Sequence, residues 1–262
     1  MRILLLGATG SLGSRCVQAL LAHNHTLTVY VRNPAKLRSM FTPSLLARLD
    51  AVVIGDATDA QAIAKALREH DIEGIVDVAG NQVLPWKEYA LPKIARAATE
   101  AAITVGGERG RPLRAWITSG MGVLRIPGEK WMIQDYMFRA AGAQHDATRQ
   151  VVEAIPTSQL QWSLLCVGRM QDADPKCKVH GLLDSPHPHN LLTEATFAPR
   201  WETTWVSKIP LVGIYVDIWI VIVTKYKAKY EEVADFLAGD LVGEKKWVGM
   251  KVGYKQENPK DA

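Results

Sequence analysis

An apolar run, Ile3 to Leu6, leads straight into Gly7-Ala8-Thr9-Gly10-Ser11-Leu12-Gly13, and a helical pattern follows at once. A strand, a glycine turn and a helix start, in that order, constrain this chain more than any other stretch. Each glycine has a physical task. Gly7 permits the tight turn. Gly10 lets backbone approach a pyrophosphate with no Cβ in the way, and Gly13 lets the helix pack close on the strand. The unpaired N–H groups at the helix start, around Thr9, Ser11 and Leu12, then face an anion. The strand before and the helix after give Gly-x-x-Gly-x-x-Gly its meaning as a dinucleotide site. The competing reading is a glycine-rich turn without a ligand.

Strand and helix patterns alternate from there. Strands are expected at 2–6, 26–31, 49–54, 74–78, 114–118 and 161–167. Helices are expected at 14–22, 60–69, 86–102 (opening on Trp86) and 144–154, with a broken helical region at 34–47 around Pro34 and Pro43. Short parallel strands with crossover helices imply an α/β, doubly wound parallel sheet. The order fades after residue 170. Residues 171–208 read as a proline-containing loop region, a helix is expected at 230–241, and the polar tail after Tyr254 is expected to fray.

The 262 residues suit one large α/β domain, or one with an appended lobe. With 48% hydrophobic and 22% charged residues, the composition is that of a soluble globular protein. The net charge of +4 is spread along the chain. That argues against a nucleic-acid partner and suits an anionic cofactor. Cys16, Cys166 and Cys177 form neither a disulfide framework nor a metal spacing, so a reducing cytoplasm is expected. The first apolar run is too short for a signal peptide. The segment 209–224 is apolar but shorter than about 20 residues, and Asp217 interrupts it, so no membrane span is expected. It reads as a buried element or an apolar pocket wall, with weak membrane contact as the alternative.

The end of the second strand separates the two nicotinamide cofactors. An acidic residue there accepts from a ribose 2′-hydroxyl, whereas a basic one favours a 2′-phosphate. Here the chain reads Val31-Arg32-Asn33-Pro34-Ala35-Lys36. Arg32 can bond a phosphate and stack on adenine, and Lys36 and Arg15 add positive charge. NADP(H) is therefore favoured over NAD(H), with a solvated surface charge as the bland reading of Arg32. Gly55-Asp56-Ala57 ends the third strand. The Asp56 carboxylate can accept from the adenine amino group, or cap the next helix, a duty Asp59 can share. Ala79, Gly80 and Asn81 end the fourth strand, small enough to pass flat against a ribose. The alternative is a plain turn.

With these residues in place, the chain resembles the atypical short-chain dehydrogenase/reductase superfamily, and within it the NmrA-like and biliverdin-reductase-B-like NAD(P)-binding proteins. Gly7–Gly13, Val31-Arg-Asn-Pro34, Gly55-Asp56, Ala79-Gly80 and Trp116-Ile-Thr-Ser-Gly120 carry the resemblance, which is good for residues 1–170. It implies a Rossmann-type domain over 1–170 that binds NADP across the strand ends. Residues 171–262 would form a small substrate lobe and a C-terminal helix packed on the same domain. Many relatives reduce a carbonyl, imine or conjugated double bond, and some only sense the cofactor.

The superfamily's catalytic signature is a Ser followed by Tyr-x-x-x-Lys, in which the tyrosine donates a proton and the lysine lowers its pKa. Ser119 sits where that Ser belongs, and it is a candidate for both catalysis and cofactor contact. The Tyr-Lys pair is missing. Tyr89 and Lys93 fit the letters but precede Ser119. Tyr136 follows Ser119 without a lysine and is a candidate catalytic acid, with His145 or solvent as the other proton sources. On the next helix His145 and Arg149 stand one turn apart, His145 as a candidate proton donor and Arg149 as a candidate ribose or phosphate ligand, the bland reading being a surface helix that carries His and Arg. By resemblance Val167 and Gly168 lie over the nicotinamide. His180, His187 and His189 lack partners of metal-site type, so no metal is expected. Trp201, Trp205, Tyr215 and Trp219 can line an apolar substrate pocket, or serve as core. The reading is an NADPH-dependent oxidoreductase of a sizeable apolar or aromatic carbonyl or enone-type small molecule. The alternatives are an NADP(H)-sensing NmrA-like regulator and a non-redox isomerase or cyclase on the same fold.

Overall fold

The computed structural model describes residues 1–81, 88–137, 139–243 and 246–257, and of 139–141 the backbone alone. The first half alternates as β1 (Arg2–Leu6), α1 (Ser11–Ala22), β2 (Thr26–Val31), α2 (Pro34–Met40), α3 (Pro43–Leu46), β3 (Ala51–Ile54), α4 (Ala60–Glu69) and β4 (Gly74–Asp77). Next come α5 (Leu91–Glu108), β5 (Leu113–Gly120), α6 (Arg139–Glu153) and β6 (Leu160–Val167). The chain continues through β7 (Arg169–Gln171), β8 (Leu191–Ala195), α7 (Gly213–Lys225), β9 (Lys227–Lys229), α8 (Tyr230–Val242) and β10 (Met250–Gln256).

The main sheet runs β3-β2-β1-β4-β5-β6-β10-β8. All its pairs are parallel except β10–β8. The doubly wound α/β expectation therefore holds. β1 pairs with β2 on one side (Leu4↔Thr28) and with β4 on the other (Leu6↔Asp77). The strand order reverses there, and a crevice opens beyond the strand ends. One apolar layer lies between the sheet and α4, α5, α6 and α7, with Ile63, Ala98, Val152 and Ile218 inside. The other layer lies under α1, α2, α3 and α8, around Val17, Leu37, Leu45 and Phe236. β1 contributes Leu4 and Leu6 to the first layer and Ile3 and Leu5 to the second, the period-two signature of a strand buried on both faces.

Several boundaries move. α1 starts at Ser11 because Gly10 is its N-cap. α5 starts at Leu91, with a proline in its first turn, and runs on to Glu108. Trp86, expected to open that helix, lies outside the described residues. α6 opens earlier than expected, at Arg139. The stretch after residue 170, read as loop and helix, also supplies β8 and β10 to the main sheet and a small parallel pair, β7–β9. The start of the tail is not frayed. β10 runs to Gln256, and the Glu257 N–H donates to the Asn190 carbonyl at 2.9 Å.

Candidate functional site: a dinucleotide cleft and an aromatic cavity

The glycine turn forms as its sequence requires. Gly7 has φ +91°, and a Cβ on it would lie 2.7 Å from the Ala79 nitrogen, so only glycine fits where β1 and β4 end side by side. A Cβ on Gly13 would lie 1.9 Å from the Gly7 carbonyl oxygen, so α1 touches the turn directly. No side chain caps α1. The backbone N–H groups of Ser11, Leu12 and Gly13 begin the helix without an i−4 partner, as an anion site needs.

Around this turn is a cleft of about 430 Å³. Its walls include Gly7, Thr9 and Gly10 from the first turn, Arg32 and Lys36 from the second, Asp56 and Ala57 from the third, and Ala79, Gly80 and Asn81 from the fourth. Four loops separated in sequence thus converge on one volume. Tyr30, Thr58, Ala90 and Ile94 line it too and were not anticipated. The alternation of β2 carried a signal for Tyr30, whose ring packs beside Gly55.

Local chemistry positions each wall. Asn33 caps α2 by accepting from the Lys36 N–H at 3.0 Å, and Pro34 opens the helix. Arg32 is therefore held in the short link between β2 and α2, and Lys36 in the helix's first turn. Among the described residues neither side chain holds a hydrogen bond or an ion pair. Asp56 Oδ1 accepts from the Thr58 N–H and hydroxyl, both at 2.8 Å. Those bonds, with a smaller contribution from Arg32, hold its carboxyl below the usual range. The cap of α4 is Asp59. The Asn81 amide closes its own loop, donating to the Glu88 carbonyl at 3.1 Å and accepting from the Ala90 N–H at 3.3 Å.

The remaining candidates lie elsewhere. Ser119 is fully buried and its hydroxyl donates to the His145 carbonyl at 3.1 Å. The His145 ring lies against Gly120, where a Cβ would be 2.7 Å from it. Burial lowers the imidazole pKa, which favours the neutral ring, and its Nδ1 is buried with no partner. Gly120 pairs with Val167, the last residue of the neighbouring strand β6, and Gly168 links β6 to β7. Arg149 is held by Asp146 at 2.8 Å and Glu153 at 2.5 Å. Arg15, expected to add charge to the cofactor site, is buried and paired with Asp172 at 2.7 Å and Glu231 at 3.2 Å.

Tyr136, in a 3₁₀ turn before α6, faces Tyr215 of α7 edge-on at 6.0 Å between ring centroids. With Met137, Val216 and Trp219 these rings line an apolar cavity of about 400 Å³. Partial burial, Glu129 and Asp135 raise the Tyr136 pKa, so its phenol keeps its proton at neutral pH. Trp201 instead packs on Tyr226 at 5.4 Å, and Trp205 is exposed.

The family pattern described as NAD(P)H-binding matches residues 7–191. The chain belongs to that family. Its fold agrees with the atypical short-chain dehydrogenase/reductase resemblance. A short-chain dehydrogenase/reductase from Veillonella parvula superposes with a TM-score of 0.61 at 13% identity, over 98% of this chain and 94% of that one. The oxidoreductase ylbE from Lactococcus lactis gives 0.58 at 12%, over 98% and 92%. The anaerobillin reductase ChuY from Escherichia coli gives 0.57 at 17%, over 99% and 100%. At these identities the likeness is one of fold. No curated protein matches the sequence. No helix among the described residues is long and apolar enough to cross a membrane.

Proposed function

We propose that the protein is an NADPH-dependent reductase of a sizeable apolar or aromatic carbonyl or enone-type small molecule. One observation carries the reading. Arg32 and Lys36 stand on the cleft wall with free side chains, at a strand end that carries no carboxylate. The NAD(P)H-binding family supports a nicotinamide cofactor, and these two cations favour the 2′-phosphorylated form.

In this reading the first-turn N–H groups of α1 hold the pyrophosphate, with Gly7, Thr9 and Gly10 clearing its path. Arg32 and Lys36 bind the 2′-phosphate, Asp56 and Ala57 border the adenine, and Ala79 and Gly80 lie along the ribose. When bound, the cofactor supplies a hydride. The apolar cavity supports an aromatic or apolar substrate, and the Tyr136 phenol on its wall can hydrogen-bond a substrate oxygen, as a weaker acid than a lysine-activated tyrosine because its pKa is raised. Ser119 is a positioning residue that holds His145 against the end of β5. Residues 1–170 form the cofactor domain, and 171–262 supply the substrate lobe and C-terminal helix.

The test is a fluorescence titration of NADPH and NADH, followed by a screen of aromatic ketones and enones for loss of NADPH absorbance. Arg32→Ala is expected to weaken NADPH about 10- to 100-fold, as for loss of a charge-assisted bond of about 1.5–3 kcal/mol, and to spare NADH. Equal loss for both cofactors would remove the phosphate role. One observation favours a second reading. The α6 cation Arg149 is held by two acids, Asp146 and Glu153, and so is not a free partner for a tyrosine. An NADP(H)-sensing regulator has no need of one. It would bind NADP⁺ and NADPH with different affinities and turn over no substrate.

A further inference from the structure

The aromatic cavity has a second chamber. Tyr136, Met137 and Tyr215 line both the first chamber, of about 400 Å³, and a neighbouring one of about 370 Å³ that Trp131, Gln134 and Asp135 complete. Tyr215 and Trp219 are four residues apart on α7 and share a face. Four rings therefore meet here from two separate stretches of chain. The face of an aromatic ring is the negative part of its quadrupole. Such walls admit an apolar body of any charge, and the charged groups around them decide which one is held.

Those groups are negative. Among the described residues, Asp135 is the only charged one that lines either chamber. Its Oδ2 accepts from the Met132 N–H at 2.8 Å, which fixes the carboxylate on the turn that carries Tyr136. Glu129 is the second carboxylate, and its charge and that of Asp135 both reach the Tyr136 phenol. Gln134 adds an acceptor. Its Nε2 is committed to Asp146 at 2.9 Å, and its buried Oε1 has no donor among the described residues. The cations of the same stretches, Arg125, Lys130 and Lys208, are exposed and line neither chamber. Lys225, at the far end of α7, pairs with Glu202 at 3.0 Å.

We propose that the double chamber binds an aromatic organic cation, an ammonium or iminium whose positive nitrogen sits among the rings beside Asp135 and Glu129. Ring faces and carboxylates attract the same charge, and together they are the chemistry that recognises organic cations. An anionic ligand would meet like charge, and a neutral one would leave the carboxylates without a partner. The binding does not depend on the reductase reading, but its catalytic consequence rests on it. There the electrophile is an aromatic iminium, the nitrogen counterpart of a carbonyl. The hydride from the bound cofactor adds to the iminium carbon, the C=N π pair moves to nitrogen, and the nicotinamide ring is left oxidised and positive. The product is a neutral amine, and no proton is transferred. That reaction has no need of a lysine-activated tyrosine.

The experiment is calorimetric titration of the full chain with three probes that share a ring and differ in charge: benzyltrimethylammonium, benzyl alcohol and phenylacetate. The cation is expected to bind about tenfold tighter than either of the others, and less tightly as salt rises. Asp135→Asn together with Glu129→Gln keeps both acceptors, including the one for Met132, and removes both charges. It should weaken the cation about tenfold and leave benzyl alcohol unchanged. Tyr215→Leu should weaken the cation as well, which places it in this cavity. Melting curves and NADPH titrations of each variant report fold and cofactor site separately. The proposal is overturned if no probe binds, if the neutral or anionic probe binds as tightly as the cation, or if the doubly neutralised variant binds the cation like wild type. NADPH-linked reduction of N-methyl-3,4-dihydroisoquinolinium and of acetophenone then separates the two readings. Turnover of the ketone by a protein that binds no cation overturns the cation site and leaves the reductase. Cation binding with turnover of neither compound supports the site and counts against the reductase alone.

Discussion

Asp77 ends β4 with 2% of its surface exposed, and its Oδ1 accepts from the Ala79 N–H at 3.0 Å on the cleft wall. Burial pushes its carboxyl up to about 7, against 3.8 for a free one. A group whose folded pKa is raised favours folding when protonated. Its contribution is complete below about pH 4 and is lost as pH rises through 7. One pKa unit is about 1.4 kcal/mol, so the swing is at most about 4 kcal/mol. Asp77→Asn keeps an acceptor for Ala79 and cannot ionise. Melting temperatures between pH 4 and 8 are expected to fall more steeply for wild type than for this variant. Parallel profiles would show that Asp77 does not titrate in that window. At this scale the cleft was legible, because strand-end residues follow locally from motifs. The ion pairs of Arg149 were legible too, because Asp146 and Glu153 stand three and four residues away, the spacing at which helical side chains meet.

Elements were legible where their pattern is local. The first six strands and their helices show in apolar periodicity, capping and proline positions. β8 and β10 did not show, because their pairing is remote. β10 joins β6 across more than eighty residues (Met250↔Ser163), and a glycine, Gly253, interrupts its alternation. The contact between α1 and the first turn yields a prediction at this scale. Gly13→Ala places a Cβ 1.9 Å from the Gly7 carbonyl, so helix and turn must part. The cost is about 1–3 kcal/mol by overpacking, with NAD(P)H binding expected to weaken in step. Gly107→Ala is the control, because a Cβ there meets nothing within 4 Å and α5 should gain roughly 0.5 kcal/mol. Urea unfolding of both variants checks the contrast, and equal stability would mean that α1 moves freely away from the turn.

At the scale of the molecule, Asp240 ties the last helix to the sheet. Its Oδ2 accepts from Arg114 at 2.8 Å and from the Trp116 indole at 2.9 Å. Arg114 also donates to the Gln161 carbonyl and the Ser163 hydroxyl, so α8, β5 and β6 meet at one buried guanidinium. Removing one partner of such a pair leaves a buried charge uncompensated. Asp240→Ala is expected to cost about 3–5 kcal/mol, a loss of roughly 10 °C in Tm for a domain of this size. A change under 1 kcal/mol would mean that water replaces the carboxylate.

The position of β10 has a consequence for synthesis. It lies between β6 and β8, yet follows both in the chain. As the protein leaves the ribosome, β1 to β6 can assemble, and the cleft with them, while β8 has no strand to pair with. The sheet is completed by the strand of it that comes last in chain order. A stalled or clipped chain lacking residues 250–256 would retain the glycine turn and carry an open edge at β6, a surface that chaperones and proteases recognise.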